Sequence, residues 1–140
     1  MLLGLLLLTP AFPSSASAAE CTNTWTGPAE GPWTTAANWS AGHAPTESEV
    51  ACIGSGKTVN VSSGTNQAGV VQGEGTVRIS GGSLQLITVP AEAVSSLATL
   101  KMTGGTLSGA GTLNITGSLS WTGASTMAGV GATVVKSGAT

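Results

Sequence analysis

Thr76-Val77-Arg78-Ile79-Ser80-Gly81-Gly82-Ser83-Leu84 and, 23 residues on, Thr99-Leu100-Lys101-Met102-Thr103-Gly104-Gly105-Thr106-Leu107 are one phrase written twice. Each opens with a short apolar/polar alternation, the period-two pattern of a strand with one buried face, and closes in a Gly-rich turn. Related runs stand at Thr58-Val59-Asn60-Val61, Thr112-Leu113-Asn114-Ile115 and Thr133-Val134-Val135-Lys136, with further turn phrases at Gly117-Ser118-Leu119 and Ser137-Gly138-Ala139. Aligned on Gly82, Gly105, Gly117 and Gly138, the steps are 23, 12 and 21 residues. A coil with a full turn of about 20 to 25 residues accommodates them if the short step is half a turn.

This repeat predicts an all-β chain wound as a parallel β-helix (solenoid). Each turn lays a strand on the one before, inward Val, Ile or Leu stack into a narrow column, and glycines occupy corners that need positive φ. The alternative is an antiparallel β-sandwich, which also uses short strands at a spacing of about 8 to 12 residues. The stretch Pro90-Ala91-Glu92-Ala93-Val94-Ser95-Ser96-Leu97 breaks the strand texture and reads as one helical turn or a loop bulging from the coil.

Composition agrees with a thin, turn-rich core. Of 140 residues, 21 are Gly, 20 Thr and 17 Ser, yet 41% are apolar and the mean hydropathy is +0.31, well above a disordered polar tract. With one Phe and no Tyr, the core must come from Val, Ile, Leu, Ala and the four Trp. Only 7% of residues are charged, the net charge is −2, and Asp is absent. The basic residues Lys57, Arg78, Lys101 and Lys136 are scattered, which speaks against nucleic acid and anionic membranes as partners, because both bind clustered Lys and Arg.

Three segments follow. Residues 1–19, Leu-rich and then small, carry the apolar run and Ala-Ser-Ala-Ala cleavage pattern of a secretory signal peptide, too short and too Pro-interrupted to span a bilayer. The expected location is therefore secreted or cell-surface, with no membrane insertion of the mature chain. Residues 20–53 hold Trp25, Trp33 and Trp39 and read as an N-terminal cap, and 54–140 as the repeats, which stop inside a phrase and so suggest a C-terminal truncation. In an oxidising compartment Cys21 and Cys52 most economically form one disulfide, closing a loop of about 32 residues worth roughly 3 to 4 kcal/mol on the chain-entropy model.

Catalytic chemistry finds little to use. His43 with Glu47 and Glu49 is the one cluster of metal or acid-base residue types, and a solvated loop explains it as well. Glycoside hydrolysis needs a carboxylate pair across the scissile bond. Arg78 with Glu74 is a thin candidate for lyase chemistry, and a salt pair accounts for both. Gly54-Ser55-Gly56-Lys57-Thr58 lacks the spacer of a phosphate loop and reads as a turn into a strand. No enzymatic activity, metal or other cofactor is expected. Trp25, Trp33 and Trp39 have two readings: a platform on which sugar rings stack, or a plug sealing the open end of the coil. Trp121 is expected at a corner or on a lateral surface, and Asn38, Asn60 and Asn114 fit the glycosylation acceptor pattern.

The order Trp33, Asn38-Trp39-Ser40, Gly42, Pro45, Ala51-Cys52-Ile53 and Gly56-Lys57-Thr58-Val59-Asn60-Val61, followed by the two Gly-Gly phrases and Gly117-Ser118-Leu119-Ser120-Trp121-Thr122-Gly123, resembles exported bacterial β-helix repeat proteins. These are similar to autotransporter passengers and filamentous-haemagglutinin-like surface proteins. The resemblance implies a right-handed parallel β-helix serving as a structural or adhesive module without catalytic residues, its partner an extracellular glycan or surface protein. The other expectation is a carbohydrate-binding module of a larger exported polysaccharide-active protein, with the three tryptophans as its platform.

Overall fold

A computed structural model describes residues 19–87, 93–129 and 131–140. The signal-peptide reading thus lies outside the described residues except for Ala19, as does the start of the helical-turn reading at 90–97. Among the described residues twelve strands follow: β1 (Asn23–Thr24), β2 (Glu30–Pro32), β3 (Val50–Cys52), β4 (Thr58–Val61), β5 (Thr65–Ala68), β6 (Val70–Ile79), β7 (Ser83–Leu86), β8 (Ser95–Met102), β9 (Thr106–Gly109), β10 (Thr112–Trp121), β11 (Thr126–Met127) and β12 (Ala132–Val135). They wind through about four turns of a β-solenoid.

One sheet runs β1-β3-β6-β8-β10-β12, with β2 beside β4 and β4 beside β6, and a second runs β5-β7-β9-β11. Every pairing between these strands is parallel, which rules out the antiparallel sandwich. Among the described residues one isolated bridge, Trp25 with Trp39, is antiparallel. Register shifts between Gly73 and Thr76 and between Ile115 and Ser118 bulge the long strands mid-way. Bulges bend a strand, so the larger sheet has two flanks. Side one holds β1, β3, the first halves of β6, β8 and β10, and β12. Side two holds β2, β4 and the second halves. Side three is the sheet β5-β7-β9-β11.

The stack follows from the alternation. Val59, Val77, Leu100 and Leu119 share one register column, 18, 23 and 19 residues apart, and Val61, Ile79, Met102 and Trp121 share the next. Leu84, Leu107 and Met127 supply the column from side three. All but Leu119, Trp121 and Met127 are buried. The 12-residue step spans two of the three sides, not half a turn: Gly82 (φ 63°) and Gly105 (φ 72°) occupy the corner before side three, whereas Gly117 lies at the β10 bulge after side one, where its carbonyl accepts the Thr140 N–H at 2.8 Å.

Two further glycines make the turns close-pack. Gly73 and Gly109 take φ of 130° and 129°, and a Cβ on them would overlap the carbonyl oxygens of Ile53 and Leu86 on the preceding turn. Two polar side chains caught inside are paired: the Ser95 hydroxyl accepts the Val71 N–H at 3.0 Å, and the Asn66 amide donates to the Ser63 and Ser83 carbonyls at 3.0 and 3.2 Å, whereas the buried Trp33 indole N–H and Asn60 Oδ1 have no hydrogen-bond partner among the described residues. Helix-favouring residues do not make a helix at 95–97. Ser95, Ser96 and Leu97 open β8, because there they pair with strands on adjacent turns and Leu97 enters the core.

Candidate functional site

The first turn places the tryptophans. Segment 20–53 is not a separate loop lid: β1 pairs with β3 and β2 with β4, so it supplies a turn of the coil as well as the plug within it. Trp25, Trp33 and Trp39 are 4%, 1% and 2% exposed and join the main core. Trp39 packs edge-on against both others, with ring centroids 5.2 Å from Trp25 and 5.1 Å from Trp33. Its indole N–H donates to the Trp33 carbonyl at 2.8 Å, and that of Trp25 to the Pro28 carbonyl at 2.9 Å. A sugar needs an open ring face to stack on. None of the three offers one, so the platform arrangement does not exist in this structure.

Asn23 holds the loop that carries the plug. Its buried amide donates to the His43 carbonyl at 3.0 Å and accepts the Ala41 N–H at 3.1 Å. His43 Nε2 lies 3.6 Å from Glu49 Oε1, Glu49 Oε2 accepts the Thr46 N–H at 2.7 Å, and Glu47 stands exposed apart from them. Among the described residues no three His, Cys, Asp or Glu side chains converge as a metal site. Arg78 pairs with Glu30, at 3.5 Å, and not with Glu74. Register explains the change of partner: Asn60 and Arg78 are neighbours on side two, and Glu30 reaches both, accepting from the Asn60 amide at 2.9 Å. Lys57, in the turn into β4, donates to the Gly27 carbonyl at 2.9 Å, which ties that turn to the first coil and leaves no phosphate cradle.

Cys21 and Cys52 form a disulfide. It lies on the outside of side one, where Val50, Cys52 and Val70 make a second small apolar cluster with Ala19 and Ala93 against it. The Gln72 amide sits beside both sulfurs, 3.7 Å from Cys21 and 3.4 Å from Cys52, and also donates to the Ala19 carbonyl. Next to this staple is a cleft of about 680 Å³ whose lining includes Gln72, Glu74, Val94, Ser96 and Asn114. The sequence reading named Glu74 and Asn114 for other chemistry and did not bring these residues together. Their signal was the outward position of each alternation, since Thr24, Cys52, Gln72, Ser96 and Asn114 follow one another in a single register column.

Side three presents two polar columns outward, Thr65-Ser83-Thr106-Thr126 and Gln67-Gln85-Ser108, with the Gln67 amide donating to Gln85 Oε1 at 3.1 Å. Its four strands carry no charged residue. Among the described residues no helix is long and apolar enough to cross a membrane. Comparison with protein-family models, curated proteins and solved structures gives no match to this chain.

Proposed function

We propose that the chain is an exported structural and adhesive module, secreted or held at the cell surface, that works by display and has no catalytic activity of its own. The observation that carries this reading is side three: a charge-free sheet face with hydroxyl and amide groups repeated at the strand spacing of about 4.8 Å. Such a face offers many weak, similar contacts to a repetitive partner, an extracellular glycan or a glycosylated surface protein, and affinity then grows by multivalency. The disulfide, the Leu-rich leader and the resemblance to exported β-helix repeat proteins support the export half. The non-catalytic half rests on the sequence, which has no Asp and a single His to supply acid-base chemistry.

The test is co-sedimentation of the disulfide-bonded chain with insoluble cellulose, chitin and mannan, and capture on immobilised mucin glycoprotein. Retention is expected on at least one of these, and Ser83→Lys with Thr106→Lys is expected to weaken it by about tenfold, or about 1.4 kcal/mol. No retention on any, or retention unchanged by the two lysines, overturns the adhesive reading. Cytoplasmic accumulation of the expressed full-length chain in its native host with both thiols reduced overturns export.

A further inference from the structure

We infer that the cleft on side one is a second, distinct binding site, and that it takes a neutral oligosaccharide. Its floor is the register column Thr24, Cys52, Gln72, Ser96 and Asn114, so one side chain per turn stands along the rod axis, polar at every turn but that of the disulfide-bonded Cys52. At about 680 Å³ the cleft has the size of a pocket for a small organic ligand. Bulges at the corner put Glu74 and Thr116 on one rim, and Ala93 and the 41%-exposed Val94 also line it.

The chemistry selects the ligand class. A peptide adding as a strand needs unpaired main-chain N–H and C=O groups, but the backbone of the floor from β3 to β10 is already paired turn to turn. Recognition therefore falls to side chains. The Glu74 carboxylate accepts hydroxyl protons, the Asn114 amide both donates and accepts, the Ser96 hydroxyl does the same, and Val94 with the disulfide meets the C–H faces of a sugar ring. Among the described residues the lining contains one carboxylate and no Lys or Arg, so an acidic sugar meets a like charge without a compensating cation. The choice of sugar over another polyhydroxylated compound rests on the export reading above; the cleft and its preference for a neutral ligand do not.

The experiment is NMR titration of the full, disulfide-bonded chain with cellohexaose, chitohexaose and mannohexaose, and with oligogalacturonate. At least one neutral hexasaccharide is expected to bind with shifts at Gln72, Glu74, Ser96 and Asn114. Asn114→Lys, and separately the exposed Glu74→Ala, are each expected to weaken that binding by about tenfold, or about 1.4 kcal/mol, while Ser83→Lys on side three leaves it unchanged. Oligogalacturonate is expected to bind more weakly, and Glu74→Gln to narrow the gap. No shift with any neutral sugar, shifts confined to side three, or binding indifferent to both Asn114→Lys and Glu74→Ala overturns the inference. Loss of solid-phase retention with these shifts intact would remove the adhesive face and leave the cleft standing.

Discussion

At the first turn three tryptophans fill the bore of the coil, each less than 5% exposed, and Ala51, Ile53 and Val59 continue the same core. At the other end Trp121 stands in the inward column behind Val61, Ile79 and Met102, yet is 55% exposed, and no described residue after Ile115 is buried. Both regions share the same pleat and the same parallel turn-to-turn pairing. What differs is bulk: aromatic volume seals one end, whereas a cavity of about 270 Å³ lined by Leu107, Leu113, Trp121 and Met127 opens at the other. In a solenoid each turn is stabilised by its neighbours. A turn with one packed neighbour needs large side chains to do what a second turn does elsewhere.

Substitutions can break that contrast. Trp33→Ala is expected to cost about 3–5 kcal/mol, read as a lower thermal midpoint, because it empties the sealed bore. Replacing both cysteines by Ser is expected to cost about 3–4 kcal/mol on the loop-entropy model, with amide exchange rising first in β1 and β3. Gly73→Ala and Gly109→Ala form a matched pair, with φ of 130° and 129° and the same clash against the turn below. The first is expected to lower global stability by about 2–3 kcal/mol, the second to accelerate exchange mainly in β10 and β12. Trp121→Ala is expected to change stability by less than about 0.5 kcal/mol, since it gives up an exposed ring and a hydrogen bond to the Ser125 carbonyl. Equal costs for Trp33→Ala and Trp121→Ala would erase the distinction between the two ends.

Much of the coil could be read from alternation alone. Thr58-Val59-Asn60-Val61, Thr76-Val77-Arg78-Ile79, Thr99-Leu100-Lys101-Met102, Thr112-Leu113-Asn114-Ile115 and Thr133-Val134-Val135 all lie in strands, because β-branched and aliphatic residues at period two have one stable use here. Side three was hidden. Ser83-Leu84 and Thr106-Leu107 read as the tails of turns, since three or four residues after Gly-Gly carry too little pattern to declare a strand, and their pairing one turn away makes them one. Trp121, read from sequence as a corner or lateral-surface residue, is exposed, although its register is that of a core residue. The cleft column was equally silent, because Gln72, Ser96 and Asn114 look like ordinary outward polar residues until register aligns them. The disulfide needed only two cysteines and a count.

The bonds between turns run along the length of the rod, so a tug transmitted down its axis loads them in series and the weakest junction parts first. The Cys21–Cys52 staple bridges the first junction covalently, between the strand that opens the coil and the one stacked on it. Under tension the first junction should therefore hold while the junctions without a covalent bridge part before it.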